Sequence, residues 1–286
     1  MKRIHVSGIV IATLVFFTSS VASAQPKKPS AKAQLAALQA QVSALQARVN
    51  DLEALLAYVS IVDEEINGLA GPHMIFTGVN VHVRSGSGYT DDDGMATGLG
   101  NLIIGYNENP YDGTASRTGS HNLVIGPEHS YTSNGGVVAG FRNMISGENA
   151  SVIGGEGNAA GGLASSVLGG RWNGAAGYAS SVVSGEFNSA TGGLSSILGG
   201  IDNDAAGGIS TVSGGEYNSA GGDGSSVLGG SANFATGTYS AVGGGYSNGA
   251  EGSYSAVGGG HVRKALGDYD WTAGSLYEDD AITPIP

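Results

Sequence analysis

From Ser151 to Asp270 an aliphatic residue, Val or Ile, returns every fifteen positions through eight insertion-free copies of one unit. Written as columns the unit is S-V-x-G-G-x-x-N-x-A-x-G-x-x-S. Positions five and twelve are always Gly and position ten is always Ala. Position eight is Asn from Asn158 through Asn173, Asn188, Asn203, Asn218 and Asn233 to Asn248, before Arg263 breaks the run. A fixed period of this kind predicts a solenoid in which each unit is one turn resting on the last. Fifteen residues are too few for a helix pair or a propeller blade. They suit two short strands and two tight turns, so the expected fold is an all-β solenoid.

The first strand runs through the S-V-x-G positions. Its second position is apolar throughout, and its third is apolar at Ile153, Leu168, Val183, Leu198 and Leu228. Adjacent strand residues point to opposite faces, so this strand is apolar on both sides and expects cover on both. One side lines the coil; the simplest cover for the other is another copy of the chain. The second strand, N-x-A-x, alternates between fixed Asn and Ala and variable small or polar residues. That describes one face inward and one in water. Stacked Asn side chains are expected to form a ladder from coil to coil. With Ala and Gly inside, burial per coil is modest, which again favours association.

Upstream, Leu35, Leu38, Val42, Leu45, Val49, Leu52, Leu56, Val59 and Ile66 hold an a/d heptad, with Asp63 out of pattern. It predicts a coiled coil over residues 35–66, or an amphipathic helix folded onto the head. Val at a and Leu at d lean toward two strands rather than three. Residues 1–24 have the form of a secretory signal: Lys2 and Arg3, an apolar run Ile9 to Phe17, then Ala22-Ser23-Ala24 before Gln25. Residues 25–34 are a Pro/Lys linker. The absence of Cys excludes a disulfide frame or a lipid-modified N-terminus.

Residues 67–150 are expected to cap and begin the solenoid irregularly. Asn101-Leu102-Ile103-Ile104-Gly105 and Asn122-Leu123-Val124-Ile125-Gly126 are near-copies, with Glu108 to Ser120 inserted as a loop. Gly136-Val137-Val138-Ala139-Gly140 joins the regular frame. Val79-Asn80-Val81-His82-Val83 alternates like a strand that covers the open first edge.

The stretch Asn188-Ser189-Ala190-Thr191-Gly192-Gly193-Leu194-Ser195-Ser196-Ile197-Leu198-Gly199 resembles the repeat of YadA-like heads in trimeric autotransporter adhesins. The resemblance covers about residues 100–270. It implies a left-handed parallel β-roll, a homotrimer of three rolls side by side, and a place on the surface of a Gram-negative bacterium. It further implies adhesion to matrix proteins or other cells. Two departures bear on attachment: the heptad precedes the head instead of following it, and the sixteen-residue tail 271–286 ends at Pro284-Ile285-Pro286 without the family's barrel anchor.

Candidate chemistry is sparse. The formal charge is −12, or −14 once Lys2 and Arg3 are removed, which disfavours nucleic acid and anionic lipid as partners. Asp91-Asp92-Asp93-Gly94 reads as a solvated acidic turn, with a calcium loop as the alternative. His261, Lys264, Asp268 and Asp270 read as a polar end-cap rather than an acid/base group. No cofactor or catalytic set is expected, and no paired carboxylates recur in a cleft position. A binding surface would have to be a stripe. Position seven carries Trp172, Phe187 and Tyr217, and position fourteen carries Tyr239, Tyr254 and Tyr269 in consecutive coils. Aromatics anchor interfaces, and they also stabilise a β-ladder by stacking. The expected role is therefore a secreted fibre that attaches to a cell, matrix or glycan surface, or a structural component of a sheath or envelope.

Overall fold

The computed structural model describes residues 29–278; the expected signal segment and the last residues of the tail lie outside that range. The chain forms two compact units that divide between Val81 and His82.

The first unit holds one helix and one hairpin. Helix α1 spans Ala31–Leu56 and is N-capped by Ser30, whose Oγ accepts the Ala33 N–H at 3.3 Å. None of its residues is buried, so the whole Leu35-to-Leu56 seam is bare in the single chain. The helix ends ten residues short of Ile66, the last residue of the heptad. The reason is local. Val59-Ser60-Ile61-Val62 is rich in β-branched residues and forms strand β1 (Val59–Val62), which pairs antiparallel with β2 (His73–Phe76).

The second unit is a parallel β-solenoid. Its thirteen-stranded sheet begins at β3 (Leu102–Ile104) and includes every S-V strand; a ten-stranded sheet contains the x-A strands. Successive coils pair in register, so Ser151, Ser166, Ser181 and Ser196 stand in one file and Val152, Val167, Val182 and Ile197 in the next. A third, one-residue ladder at position six was not anticipated. It links Phe141, Glu156, Arg171, Glu186, Ile201, Glu216, Ser231, Tyr246 and His261 by parallel bridges.

Five columns face inward: position two (Val or Ile), eight (Asn), ten (Ala), twelve (Gly) and fifteen (Ser). The glycines follow from how closely the coils stack. A Cβ on Gly192 would lie 1.9 Å from the Gly207 carbonyl oxygen, and one on Gly200 would lie 2.1 Å from that of Gly215.

Each Asn is satisfied mainly through backbone rather than through side-chain pairing. The Asn158 Oδ1 accepts the Asn173 N–H at 2.9 Å. Its Nδ2 donates to the carbonyls of Gly154 and Gly170 at 3.1 and 2.9 Å. Direct amide-to-amide bonds join only some neighbours, such as Asn203 Nδ2 to Asn188 Oδ1 at 3.1 Å. The column also runs further toward the N-terminus than its Asn residues indicate. His129 occupies the place before Asn143 and itself follows Asn107, whose Oδ1 accepts the His129 N–H at 2.9 Å.

Two boundaries differ from expectation. Val79–Val83 form no strand, and Val79, Val81 and Val83 are exposed. The larger sheet has β3 as its first edge strand, and Ile103, in register with fully buried Val124, is 45% exposed. At the other end, the tail does not begin where the repeat stops. Trp271–Ala273 continues the first sheet and pairs antiparallel with Leu276–Glu278, closing that edge with a hairpin. The stretch 106–120 has neither strand nor helix, as expected of an insertion.

Candidate functional surface

The outer surface is built by two corners per coil. Positions seven and fourteen adopt left-handed backbone in the regular coils, including Trp172 (φ 55°), Phe187 (57°), Tyr217 (56°), Tyr239 (55°), Tyr254 (59°) and Tyr269 (64°). All six sequence-selected aromatics thus sit where Gly or Asn is ordinarily favoured. The ladder explains the conformation. Most strand N–H groups donate forward, as from Ala159 to the Asn173 carbonyl at 2.8 Å. At the corners the peptide is reversed, and Trp172 and Tyr239 donate backward to Glu156 and Asp223 at 3.0 and 2.8 Å. A left-handed residue outside Gly costs roughly 1–2 kcal/mol, and here each coil recovers a bond to its predecessor.

These corners project the side chains outward. The six aromatics are all about half exposed. Tyr239, Tyr254 and Tyr269 stack on one another, with ring centroids 5.4 and 5.2 Å apart and planes inclined by 19° and 4°. The flat strip of ring faces that column spacing alone implies is therefore not what the surface presents. The faces are spent on neighbouring rings, and edges remain outward. Trp172 lies against Gly157 and Tyr239 against Gly224, where an added Cβ would meet the ring at 2.6 and 2.5 Å. Tyr246 and His261 make a further stack at 5.4 Å on the position-six ladder. Arg171 is ion-paired with Glu186 one coil on in that same file.

The strand wall beside these corners carries the third-position column. Ile153, Leu168, Val183, Leu198 and Leu228 all point outward and are exposed, while their neighbours Val152, Val167, Val182, Ile197 and Val227 are fully buried. The two-faced apolar character of this strand is thus physical, and one of its faces is uncovered in the single chain.

Two residues of the acidic turn, Asp91 and Asp93, are exposed as expected, whereas Asp92 is not. Asp92 is turned inward on left-handed backbone (φ 53°) and its side chain is enclosed. The hydroxyls of Ser120 and Ser85, then Ser87 and Thr97, hold its carboxyl well below the usual carboxylate range, against the opposing effect of burial. The Thr97 N–H also donates to Asp92 Oδ2 at 3.0 Å. His121 pins the same segment: its Nε2 accepts the Ser85 N–H at 3.0 Å, so its Nδ1 carries the hydrogen donated to the Thr90 carbonyl at 2.7 Å. This arrangement folds residues 85–97 onto the first coils. The Ser87 hydroxyl is shared between Asp92 Oδ1 at 2.7 Å and the Tyr89 carbonyl at 2.9 Å, Ser120 Oγ also accepts the Thr97 and Gly98 N–H groups, and the imidazole's two nitrogens bond backbone.

Residues of the final coil are engaged separately. Lys264 pairs with Glu251 at 2.8 Å, Asp268 accepts the Ser253 N–H at 2.8 Å, and Asp270 accepts the Gly267 N–H at 2.6 Å. Among the described residues no group of three His, Cys, Asp or Glu side chains is placed to hold a metal ion. None of the described helices is long and apolar enough to cross a membrane. No protein-family model matches the chain, and no curated protein aligns with it.

Proposed function

We propose that this chain is a secreted, homotrimeric fibre protein whose solenoid is an adhesin-like head, attaching to a cell, matrix or glycan surface. The observation that carries the reading is the uncovered apolar column from Ile153 to Leu228 on the strand wall of the solenoid. Three such walls facing one another would bury it, as the resemblance to YadA-like heads implies. The bare seam of α1 supports association at the other end of the chain. The attachment surface would be the corner aromatics Trp172, Phe187, Tyr217, Tyr239, Tyr254 and Tyr269. Their side chains are exposed in the single chain, and repetition on three chains would let weak contacts add. No catalytic role and no cofactor belong to this reading.

A second reading, a structural element of a sheath or matrix without a specific ligand, is favoured by one observation: the Tyr239–Tyr254–Tyr269 rings are stacked on each other. The two are separated by replacing all three tyrosines with Phe, which keeps the stack and removes the hydroxyls, and separately with Ser. Light scattering should give a trimer for the wild type and the Phe variant. Loss of solid-phase binding in either folded variant supports attachment through the strip. Undiminished binding by both assigns the strip to structure.

A further inference from the structure

The β1–β2 hairpin has its faces reversed relative to ordinary antiparallel pairs, which turn apolar residues to the core and polar ones to water. Its register pairs Val59 with Phe76, Ser60 with Ile75, Ile61 with Met74 and Val62 with His73. Residues directly opposite share a face. One face is therefore Val59, Ile61, Met74 and Phe76, and the other is Ser60, Val62, His73 and Ile75. On the mixed face Val62, His73 and Ile75 are half-buried, and the His73 Nε2 lies 3.1 Å from the Leu69 carbonyl oxygen. The wholly apolar face is the more open one, with Ile61 59%, Met74 63% and Phe76 48% exposed and Val59 half-buried. A two-stranded hairpin is marginal on its own in water, so leaving its apolar side open is a cost that some partner must offset.

We propose that this hairpin is an inter-chain clamp: its open face closes on the same face of sister copies of this chain. The proposal rests on the homo-oligomeric reading above. Its own helix does not cover the hairpin, because α1 buries none of its residues. The helix and the first hairpin strand are separated along the chain only by Ala57 and Tyr58, and the apolar side chains of both are exposed at Leu52, Leu56 and Ile61. A partner that fits a heptad seam is another helix with the same spacing. When identical helices align in parallel and in register, chain continuity delivers their hairpins to the same level. Cyclic symmetry then presents identical patches to one another. A face with four apolar side chains and no charge is suited to that contact. The helix sets the register, and the hairpin locks it immediately before the chain passes into the solenoid.

The chain has no Cys, which makes single-cysteine cross-linking of the mature full-length protein a clean test. Three variants are compared under mild oxidation: Leu45→Cys on the helix seam, Ile61→Cys on the open face, and Ser60→Cys on the opposite face. Disulfides require Cα atoms within about 7 Å. Inter-chain bonding should be extensive at Leu45 and Ile61 and several-fold weaker at Ser60, with all three thiols labelled equally by a monofunctional maleimide once the chains are unfolded in denaturant. Bonding at Leu45 with Ile61 no better than Ser60 overturns the clamp and leaves the oligomer standing. No bonding at either site, together with a monomer mass for the wild type by light scattering, overturns both.

Discussion

The Nδ1 of His129 accepts the backbone N–H of Asn143 at 3.1 Å, the bond that an Asn Oδ1 makes in every regular coil that follows. The other nitrogen repeats one of the amide's two backbone bonds. The His129 Nε2 donates to the Ile125 carbonyl four residues back at 2.9 Å, as the Asn158 Nδ2 does to Gly154. An imidazole thus stands in for a carboxamide, but it brings a proton equilibrium that the amide lacks.

Burial lowers the pKa of His129 from its ordinary 6.5, because the enclosed ring must stay neutral to accept from Asn143. A folded-state value below the unfolded one gives stability that is present above about pH 6.5 and is lost as pH falls through the folded value. The melting temperature of the wild type should therefore fall between pH 7 and 5.5. His129→Asn should keep the ladder and flatten that interval. Parallel melting curves for the two proteins would show that His129 is not the titrating group.

Gly192 and Gly193 are neighbours with opposite tolerances. An Ala at 192 drives its Cβ into the Gly207 carbonyl, whereas one at 193 meets nothing within 4 Å. Gly192→Ala should abolish or severely lower thermal stability. Gly193→Ala should be neutral or raise stability by about 0.4–1 kcal/mol through the unfolded chain. Circular dichroism melts on the two variants decide it, and equal losses would place the coil contact wrongly.

Polar interior columns divide in the same way. Asn188→Ala strips partners from the Asn203 N–H and from the carbonyls of Ser184 and Gly200, and should cost about 2–3 kcal/mol. The Ser195 Oγ is buried with no hydrogen-bond partner. Ser195→Ala should therefore be neutral or stabilising in denaturant melts. A loss comparable to that of Asn188→Ala would assign the serine file a bonding role.

Ala205→Glu would place a charge in a fully buried file of methyl groups and should cost about 3 kcal/mol or more. Asp204, one residue earlier, is half-buried, and desolvation raises its pKa. A folded value above the unfolded one means that its contribution is fully present below the ordinary carboxylate range and lost as pH rises. Asp204→Asn should accordingly be more stable than wild type at pH 7 and equal to it near pH 3, by thermal melts at both.

The Val, Ala, Asn and Gly columns could be read from their period, because each is a residue type with one steric or bonding use in a stacked coil. What escaped the sequence has no fixed residue type. The third ladder runs through Glu156, Arg171 and Ile201, which share only backbone geometry. The left-handed corners hold Trp, Tyr and Phe, where pattern rules look for Gly or Asn, so only the reversed N–H direction shows them. His129 lies fourteen residues before Asn143, one short of the period, and in another chemical class. The heptad overran the helix because Val59 kept the spacing while its β-branched neighbours had already begun a strand. The six candidate aromatics are exposed, but the stacking that turns the faces of Tyr239, Tyr254 and Tyr269 toward one another depends on ring orientation.

The inter-coil bonds, such as Ser151 N–H to the Ser165 carbonyl and Ile153 N–H to the Val167 carbonyl, run along the solenoid axis rather than across it. Pulling on the rod end to end therefore loads those bonds a coil at a time, as a zipper is opened, instead of shearing a whole sheet together. Each coil that lets go releases about 50 Å of extended chain, while the remaining coils keep their neighbours intact. Such a solenoid would yield under end-to-end load by paying out length in even steps, one coil at a time.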